Sequence, residues 1–514
     1  MAGFLLRLPF KTIMQVNIPT RPRAGELVLL AMALLLLVEM AYAMHWRESG
    51  YRARAVLRVA VPGHEWMQGA PAHLGRGFEQ ELLDAYCREN GLAWKRLTPR
   101  TWGEAWGMLE SGQADVVIGL GSTPPANLGG CVVPGPAYAS FNPVIIHNDR
   151  RFGVRTDCEL CEQPILVNAN AGLRAALKDQ GRELDCSPSA VVGNGLDIVP
   201  LLNILDDNQA RFALVDEGRF RLWQPFYHRI RTSRTLPASI HYRWYWRAED
   251  RPLAESLTAF WARMDKSPAL ADLYDRYFGF LPEEADTFEL AHLLRTVGTR
   301  LPHYGATIAR AAQSSGIDPL LLVAVLYQES RFDPGAVSKT GVRGLMQITA
   351  DTARLLGVDR NDPHQSILGG ARYLRMLHDA QDPALDDDTR WLFALAAYNQ
   401  GPGHLNDAVA LARRLGGSGM SWRELKDVFP KLAWERWYKD TRHGYTRGFE
   451  AVAYVENIRY YHYVLRGLRE LRRPEAQMLA TAYVGPEGEA ARARLAAAPP
   501  AAPGPAGADV ADAQ

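Results

Sequence analysis

The sequence predicts two folded parts in tandem, an α/β domain with a largely parallel sheet and then an almost wholly helical domain. In the first half, short apolar runs of strand length alternate with segments of helical spacing. From Leu301-Pro302 onward, nearly every segment has helical spacing. At 514 residues the chain is also too long for one hydrophobic core, and its length favours about three domain-sized units.

Residues 1–44 have the order of a secretory signal, which is basic, then apolar, then small. Four cationic residues precede the apolar run 27–38, and Ala41-Tyr42-Ala43 follows it. The run is short for a membrane span, and Glu39 would interrupt a longer one. An inner-membrane anchor formed by residues 27–44 is the alternative that this segment leaves open.

Composition excludes few functions, but it bears on nucleic-acid binding and on the chemistry of the cysteines. Lys and Arg number 58 against 57 Asp and Glu, so the chain lacks the basic footprint of a nucleic-acid-binding protein. The five cysteines suit an oxidising compartment, where Cys158 and Cys161 can pair with each other or with Cys131 or Cys186. No second Cys pair has zinc-ligand spacing, so the sequence predicts no metal and no cofactor.

The elements of the first domain follow from hydrophobic periodicity and from the glycines that end each segment. Strands are predicted at 57–61, 92–97 and 116–118, and helices at 77–90 and 102–111, with Gly91 and Gly112 as stops. A second set of strands begins at 165–167 and continues at 212–215. Strands and helices that alternate at this pitch favour parallel pairing.

Three motifs give this domain, residues 55–281, a resemblance to family-3 periplasmic solute-binding proteins. They are Gly77-Phe78-Glu79, Gly112-Gln113-Ala114-Asp115 and Tyr274-x-x-Tyr277-Phe278-Gly279. The resemblance implies two lobes, one of residues 55–145 plus the returning tail and the other of residues 146–240.

One departure from that family bears on the ligand. Members that bind amino acids usually follow Thr-Pro with an arginine that clamps the carboxylate, whereas Pro125-Ala126-Asn127 follows Thr123-Pro124 here. Asp216 falls where the family often holds a ligand amine. Amino-acid capture is therefore not expected, and the partner of this domain stays open between an unknown small ligand and a muropeptide.

After a linker at 282–300, the helical domain is predicted over 301–472. Its most informative helix opens with Asp318-Pro319 and is apolar on every face, as in a buried core helix. Because proline disfavours helical geometry at the residue before it, the helix ends before Asp333-Pro334 and Glu329 lies in its last turn. The negative end of the helix dipole and the apolar surroundings should raise the pKa of Glu329.

Further helices are predicted after Asp362-Pro363, over 391–398 and over 448–466. Beyond Arg472 the composition shifts to Ala, Pro and Gly, so residues 473–514 are predicted to form a disordered tail.

Several separated blocks in order resemble the goose-type-lysozyme-like domain of the soluble lytic transglycosylase family. They are Glu329-Ser330, Ser338, Gly344-Leu345-Met346-Gln347, Ala397-Tyr398-Asn399 and Glu450 with Tyr454. The resemblance implies that Glu329 is catalytic and that Ser338, Met346, Gln347, Tyr398 and Glu450 bind substrate. It implies that Ser338 contacts the substrate near the acetamido group. The Tyr398 hydroxyl is expected to bond Glu329 or the sugar.

The implied reaction cleaves peptidoglycan between N-acetylmuramic acid and N-acetylglucosamine and leaves 1,6-anhydro ends without consuming water. It needs one acid/base group, whereas an ordinary hydrolase needs a second carboxylate. The nearby candidates for that second carboxylate are Asp333, Asp351 and Glu450. A muramidase-type hydrolase and a non-catalytic envelope sensor that retains the fold are the alternatives.

The order of the two domains resembles a subgroup of membrane-bound lytic murein transglycosylases. This subgroup implies a periplasmic location with peripheral attachment to the outer membrane. The implied partners are peptidoglycan glycan strands and the membrane periphery.

Overall fold

The computed structural model describes residues 32–36, 38–39, 55–62, 77–120, 124–125, 128, 130–168, 170–192, 197–283, 285–338 and 341–471. Most of the predicted signal or anchor, the predicted disordered tail, and Thr123, Ala126 and Asn127 lie outside these residues. The chain divides into two compact units, Met1–Val56 and Leu57–Gln514. Within the first unit, residues 32–36 and 38–39 are helical and exposed.

A membrane-crossing helix would need a long apolar stretch, and none of the described helices has one.

The first half of the second unit is built on two sheets. Its strands are β1 Val56–Ala60, β2 Ala93–Leu97, β3 Val116–Leu120, β4 Val132–Pro134, β5 Ala139–Phe141, β6 Pro143–Asn148, β7 Ile165–Val167, β8 Ala190–Val192, β9 Phe212–Asp216, β10 Ile230–Thr235 and β11 Ile240–Arg247. The first sheet has the order β2-β1-β3-β11-β4 with β5 paired to β11, and the second has the order β10-β6-β9-β7-β8.

Pairing within these sheets explains the two lobes. Parallel pairs join β1 to β3, and β7 to both β8 and β9, as the alternating pattern predicted. The chain then returns to the first sheet through β11, which pairs antiparallel with β3. The two-lobed α/β fold predicted from the sequence is confirmed.

The helices of this domain cover its sheets. They are α1 Phe78–Glu89, α2 Trp102–Glu110, α3 Asp157–Glu162, α4 Ala171–Glu183, α5 Val199–Asp206, α6 Glu217–Trp223, α7 Arg251–Lys266 and α8 Ala269–Phe278. The glycines predicted to end α1 and α2 are confirmed. Gly91 and Gly112 follow these helices and adopt φ of 63° and 72°. These positive angles are unfavourable for residues with a side chain.

Asp216 is buried at the end of β9, where it caps α6. Its Oδ1 accepts a hydrogen bond from the Arg219 N–H at 2.9 Å. Burial raises the pKa of the Asp216 carboxyl to about 7, although the Arg219 N–H and the Tyr242 hydroxyl stabilise the charged form. This side chain therefore has a structural role within its lobe.

The cysteine pairing that the sequence left open is settled by the geometry. Cys161 forms a disulfide with Cys186. Cys87 is buried and reduced, and Cys131 and Cys158 are exposed and reduced. The bond ties α3 to the chain that follows α4, so it stabilises the second lobe.

The regular elements of the second half, in its described part, are helices. Its helices are α9 Thr287–Ser315, α10 Pro319–Ser330, α11 Ala350–Leu356, α12 Pro363–Asp379, α13 Asp387–Gln400, α14 Pro402–Arg414, α15 Trp422–Val428, α16 Glu435–Tyr438 and α17 Gly448–Glu470, with a 3₁₀ turn at Phe429–Ala433. The predicted all-α, goose-type-lysozyme-like second domain is confirmed.

The predicted start of this helical region at Leu301-Pro302 is wrong. Helix α9 begins at Thr287, because the Asp286 carboxylate accepts hydrogen bonds from the N–H groups of Phe288 and Glu289 at 3.0 Å each. Pro302 lies inside the helix rather than at its start. The segment predicted as a linker is consequently helical over most of its length.

Helix α10 forms the core of the helical domain. From Leu320 to Tyr327, no residue is more than 7% exposed. The helix packs against α9 and α17. Each leucine buried in this way contributes ~1.5–3 kcal/mol relative to exposure, so the position of α10 is strongly determined. The Asp318 carboxylate at its start also contacts Nε2 of His462 on α17 at 2.9 Å.

Helix α17 contacts both halves of the unit. The Tyr463 hydroxyl donates to the carbonyl oxygen of Leu222 at 2.6 Å. Asp275 on α8 pairs with Arg459 at 3.3 Å and with Lys426 at 2.8 Å. Both Arg459 and Asp275 are largely buried, and removal of either partner would leave an uncompensated charge.

Candidate active site

Glu329 lies in the last turn of α10, as the sequence predicted. Its side chain is half-buried, and its Oε1 accepts a hydrogen bond of 2.5 Å from the Tyr454 hydroxyl. Burial raises the pKa of Glu329 to about 8, and the Tyr454 hydroxyl opposes part of that rise because it stabilises the carboxylate. The group is therefore mainly protonated at neutral pH and can donate a proton.

The chain directly after Glu329 adopts an unusual conformation. Arg331 and Phe332 have φ of 50° and 61°, in the left-handed region that costs a residue with a side chain roughly 1–2 kcal/mol. Glu289 on α9 holds this turn, since its carboxylate accepts hydrogen bonds from the Arg331 guanidinium at 3.1 Å and from the Tyr327 hydroxyl at 3.0 Å. Tyr461 of α17 donates to the same carboxylate at 3.0 Å. Helices α9 and α17 thus fix the end of α10.

The segment that contains Met346 and Gln347 folds tightly beside this helix end. Gly344 has φ of 80°, and a Cβ atom there would lie 2.0 Å from the carbonyl oxygen of Arg360, so only glycine fits. The Ser330 hydroxyl donates to the carbonyl oxygen of Leu345 at 2.9 Å. This bond links the residue after Glu329 to the segment.

Met346 and Gln347 are both held by hydrogen bonds that stabilise that segment. Met346 is fully buried, and its backbone N–H donates to the Ser366 hydroxyl at 3.1 Å. The Gln347 amide donates to the carbonyl oxygens of Ala336 and Gly344 at 2.9 and 2.8 Å. Gln347 itself is half-buried with φ of 46°. The two residues shape the backbone next to Glu329.

Tyr398, at the end of α13, does not donate to Glu329. Its hydroxyl donates to the carbonyl oxygen of Met346 at 2.8 Å. Of the two partners expected from the sequence, Glu329 is therefore not the acceptor, and the sugar stays a prediction. The ring still lies close enough for the Glu329 charge to raise the pKa of Tyr398, although burial contributes most to that rise. Tyr398 therefore supports the wall of the site.

Ser338 closes a turn in the same segment. Its hydroxyl oxygen accepts from the Val342 N–H at 3.3 Å, and its carbonyl oxygen accepts from the Gly341 N–H at 3.0 Å. The side chain is half-buried.

Glu450 lies in the first turn of α17 and pairs with Arg447 at 2.7 Å. It precedes Tyr454 by four residues, so both side chains lie on one face of the helix.

Tyr454 is the residue whose role the sequence did not reveal. It was part of the motif with Glu450, and the spacing of four residues indicates only a shared helix face. Glu289 lies in the segment predicted as a linker and carried no signal of its own. Both are separated in sequence from the Glu329 helix, and only the packing of α9 and α17 on α10 brings them there.

The other two candidate carboxylates have local roles. Asp333 accepts from the Gly335 N–H at 3.0 Å in the turn after α10. Asp351 is exposed in the first turn of α11 and pairs with Arg354. The pKa of Glu329 is raised by burial, and no second carboxylate among the described residues contributes to that rise. Across the same residues, no group of three or more His, Cys, Asp or Glu side chains could hold a metal ion.

Comparisons with known proteins find relatives of this chain. A family model described as the transglycosylase SLT domain matches residues 306–419. Membrane-bound lytic murein transglycosylase F of Pseudomonas putida is 33% identical over 396 residues, which cover 76% of this chain and 80% of that protein. Membrane-bound lytic murein transglycosylase F 1 of Alkalilimnicola ehrlichii is 33% identical over 433 residues, which cover 83% and 85%.

Solved structures align with part of the chain. The P235GK mutant of ArgBP from T. maritima has a TM-score of 0.39 at 18% identity, covering 45% of this chain and 99% of that chain. The GluR0 ligand-binding core in complex with L-glutamate has a TM-score of 0.38 at 12% identity, covering 43% and 97%.

Proposed function

Since the chain belongs to the membrane-bound lytic murein transglycosylase F family, we propose that Glu329 is the single acid/base with which it cleaves peptidoglycan. The protein is a lytic transglycosylase that breaks the β-1,4 bond between N-acetylmuramic acid and N-acetylglucosamine and leaves 1,6-anhydro ends. The observation that carries the proposal is the position of Glu329 at the end of α10 with the Tyr454 hydroxyl on its Oε1, where burial raises the pKa of its carboxyl to about 8.

In the first step the protonated Glu329 donates its proton to the glycosidic oxygen. The bond between that oxygen and C1 of the muramic residue then breaks, and positive charge develops at C1. The 2-acetamido group of the substrate can stabilise this charge from within the sugar. Glu329 becomes a carboxylate in this step, and the Tyr454 hydroxyl, which donates to its Oε1, stabilises the new negative charge.

In the second step the Glu329 carboxylate removes the proton from the C6 hydroxyl of the same sugar. The C6 oxygen attacks C1 and closes the 1,6-anhydro ring, so Glu329 is protonated again. Each bond that breaks is matched by one that forms, and no water enters the reaction. One group with a pKa near the working pH serves both proton transfers.

The same observations argue against a muramidase-type hydrolase. Hydrolysis of that kind needs a second carboxylate about 5–9.5 Å from the acid, either as nucleophile or as base. Asp333, Asp351 and Glu450 each have a local partner in a turn or an ion pair. A single acid/base accounts for the site without assigning any of them to the chemistry.

Digestion of purified murein in isotopically labelled water tests the proposal. We expect soluble products that carry 1,6-anhydro ends and no label from the solvent. Reducing ends that carry the label would show hydrolysis and overturn the transglycosylase mechanism. The absence of any soluble product would instead support a non-catalytic sensor.

We further propose that the protein is held peripherally at the periplasmic side of the outer membrane. The basic, apolar and small order of residues 1–44 supports export, and the relatives are named membrane-bound. Washing isolated envelopes at high salt and then at alkaline pH should release a peripheral protein. Retention in the inner-membrane fraction after both washes would favour an anchor formed by residues 27–44.

A further inference from the structure

Helix α9 holds the turn that follows Glu329 at two successive residues. Arg331 and Phe332 both lie in the left-handed region, where glycine is the usual residue at the end of a helix. A side chain makes this region unfavourable, so two such residues in succession persist only where the surrounding structure holds them. The conformation of this turn therefore depends on the groups that contact it.

Glu289 supplies the first of these contacts. Its carboxylate accepts hydrogen bonds from the Arg331 guanidinium at 3.1 Å and from the Tyr327 hydroxyl at 3.0 Å. These are the residues two positions after and two positions before Glu329. The Tyr327 side chain is buried, and its hydroxyl also contacts Nδ1 of His292 at 2.7 Å. The last turn of α10 is thus held on both sides of Glu329 along the chain.

The same helix supports Phe332. Arg300 donates to the carbonyl oxygen of Phe332 at 3.4 Å, and the ring of Tyr304 stacks on the buried Phe332 ring with centroids 6.4 Å apart. Glu289, Arg300 and Tyr304 all precede residue 306, where the match to the transglycosylase SLT domain begins. The groups that set the turn therefore lie in the part of α9 that this match does not cover.

The turn bears on the chemistry because of where Glu329 lies. Glu329 is the next-to-last residue of α10, and helix ends fray when nothing holds them. Its Oε1 accepts a hydrogen bond of 2.5 Å from the Tyr454 hydroxyl, which a rotation of the last helical turn would break. Proton transfer depends on such placement, since a displacement of about 1 Å can cost about 100-fold in rate.

We propose that Glu289 is a positioning residue for the reaction at Glu329. It fixes the turn after α10, and that turn keeps the Glu329 carboxyl on the Tyr454 hydroxyl. Glu289 acts only through the turn, because its own carboxylate bonds Tyr327, Arg331 and Tyr461. The inference rests on the proposed function, since it takes Glu329 as the acid/base. It also extends the catalytic unit upstream to the start of α9.

Replacing Glu289 with Ala in the full-length protein tests this role. On soluble glycan strands we expect kcat to fall by about 10- to 100-fold and KM to stay within about threefold, because the placement of Glu329 changes while the groups that bind substrate remain. The alkaline limb of kcat/KM should move to higher pH. A Glu329 carboxyl displaced from Tyr454 loses the hydrogen bond that lowers its pKa.

Glu289→Gln is the conservative comparison. The amide keeps the size of the side chain and one acceptor oxygen for the Tyr327 and Tyr461 hydroxyls, and it loses the charged bond with Arg331. We expect its kcat to exceed that of Glu289→Ala by about tenfold. A kcat no higher than that of Glu289→Ala would contradict the hydrogen bonds on which the inference depends.

A double-mutant cycle with Tyr454→Phe separates positioning from independent effects. The bond between Tyr454 and Glu329 is already lost in Glu289→Ala if the inference holds. Adding Tyr454→Phe should then lower kcat by less than about threefold further. Losses that multiply would show that the two residues act independently and would overturn the inference. An unchanged kcat in Glu289→Ala would overturn it as well.

Asp318→Ala is the matched control for lost stability. Asp318 supports the other end of α10, where its carboxylate accepts from the Leu320 N–H at 2.9 Å and contacts Nε2 of His462 at 2.9 Å. We expect a lower melting temperature but, below the melting range, a kcat within about threefold of the parent. A kcat loss as large as that of Glu289→Ala would assign both to general destabilisation and overturn the inference.

A second variant and a separate test of Glu329 complete the design. If Glu289→Ala does not fold, as judged by its melting curve, Arg331→Met removes the exposed partner of Glu289 and leaves the core intact. Its kcat should fall by about tenfold, and an unchanged kcat would overturn the inference. Full activity of Glu329→Gln would refute the proposed function. An inactive Glu329→Gln beside a fully active Glu289→Ala would refute the inference alone.

Discussion

Replacing Glu329 with Gln should lower the rate of anhydromuropeptide release by about 10³-fold or more. Gln is nearly the same size but can neither donate a proton to the leaving oxygen nor remove one from the C6 hydroxyl. General acid/base groups typically contribute 10²–10⁴-fold, and here one side chain performs both transfers, so a loss in the upper part of that range is expected. Chromatography of muropeptides released from purified sacculi gives the rate.

The folded state should survive this change. At pH 7 Glu329 is mainly protonated and neutral, so a neutral amide replaces a neutral carboxyl. We expect the melting temperature of Glu329→Gln to stay near that of the parent at pH 7. An inactive variant that also melts early would have lost its structure and could not support the assignment.

Asp351→Asn is the matched control for the loss of a carboxylate. Asp351 is exposed and lies in a surface ion pair with Arg354, an interaction that typically contributes little. We expect its activity to stay close to that of the parent.

Glu450→Gln addresses the mechanism, because a loss as large as that of Glu329→Gln would reveal a second essential carboxylate. Such a result would contradict the single acid/base proposal.

Replacing Tyr454 with Phe should lower kcat by about 10- to 100-fold and shift the alkaline limit of activity to higher pH. The Tyr454 hydroxyl donates to Glu329 at 2.5 Å and stabilises the carboxylate that forms in the first step. Hydrogen bonds to charged groups contribute roughly 1.5–3 kcal/mol, which corresponds to this range of rates. Rates measured from pH 5 to pH 10 test both effects.

The direction of the pH shift follows from the two causes of the Glu329 pKa. Burial raises that pKa to about 8, and the Tyr454 hydroxyl lowers it from a still higher value. Without the hydroxyl the pKa rises further, so the protonated and active form persists to higher pH. We expect the alkaline limb of kcat/KM to move up by about one pH unit. A limb that stays in place or moves down would contradict this account.

Tyr461→Phe is the matched control for Tyr454→Phe. Tyr461 lies on the same helix and also donates its hydroxyl to a glutamate, but that glutamate is Glu289. Its loss should weaken the support of the α10 end without changing the alkaline limb. A shift of equal size in both variants would mean that the limb reports general loosening of α17 rather than the pKa of Glu329.

Much of the fold could be predicted from the sequence because its signals are local. The strand and helix periods placed the five strands and two helices that they predicted in the first domain within a few residues of the observed bounds. The start of α9 was missed because Pro302 resembled a helix start, whereas Asp286 supplied the actual cap. The cysteine pairing also stayed open, since spacing does not determine which thiols meet in space.

The sequence by itself determined that Glu329 ends a buried apolar helix and that its motifs are those of lytic transglycosylases. The tertiary structure alone decided which groups surround Glu329. Tyr454 bonds it, Tyr398 bonds Met346 instead, and Glu289 holds the turn that follows. Helix period and caps depend on residues a few positions apart, whereas a hydrogen-bond partner depends on how distant helices pack, to within a few tenths of an ångström.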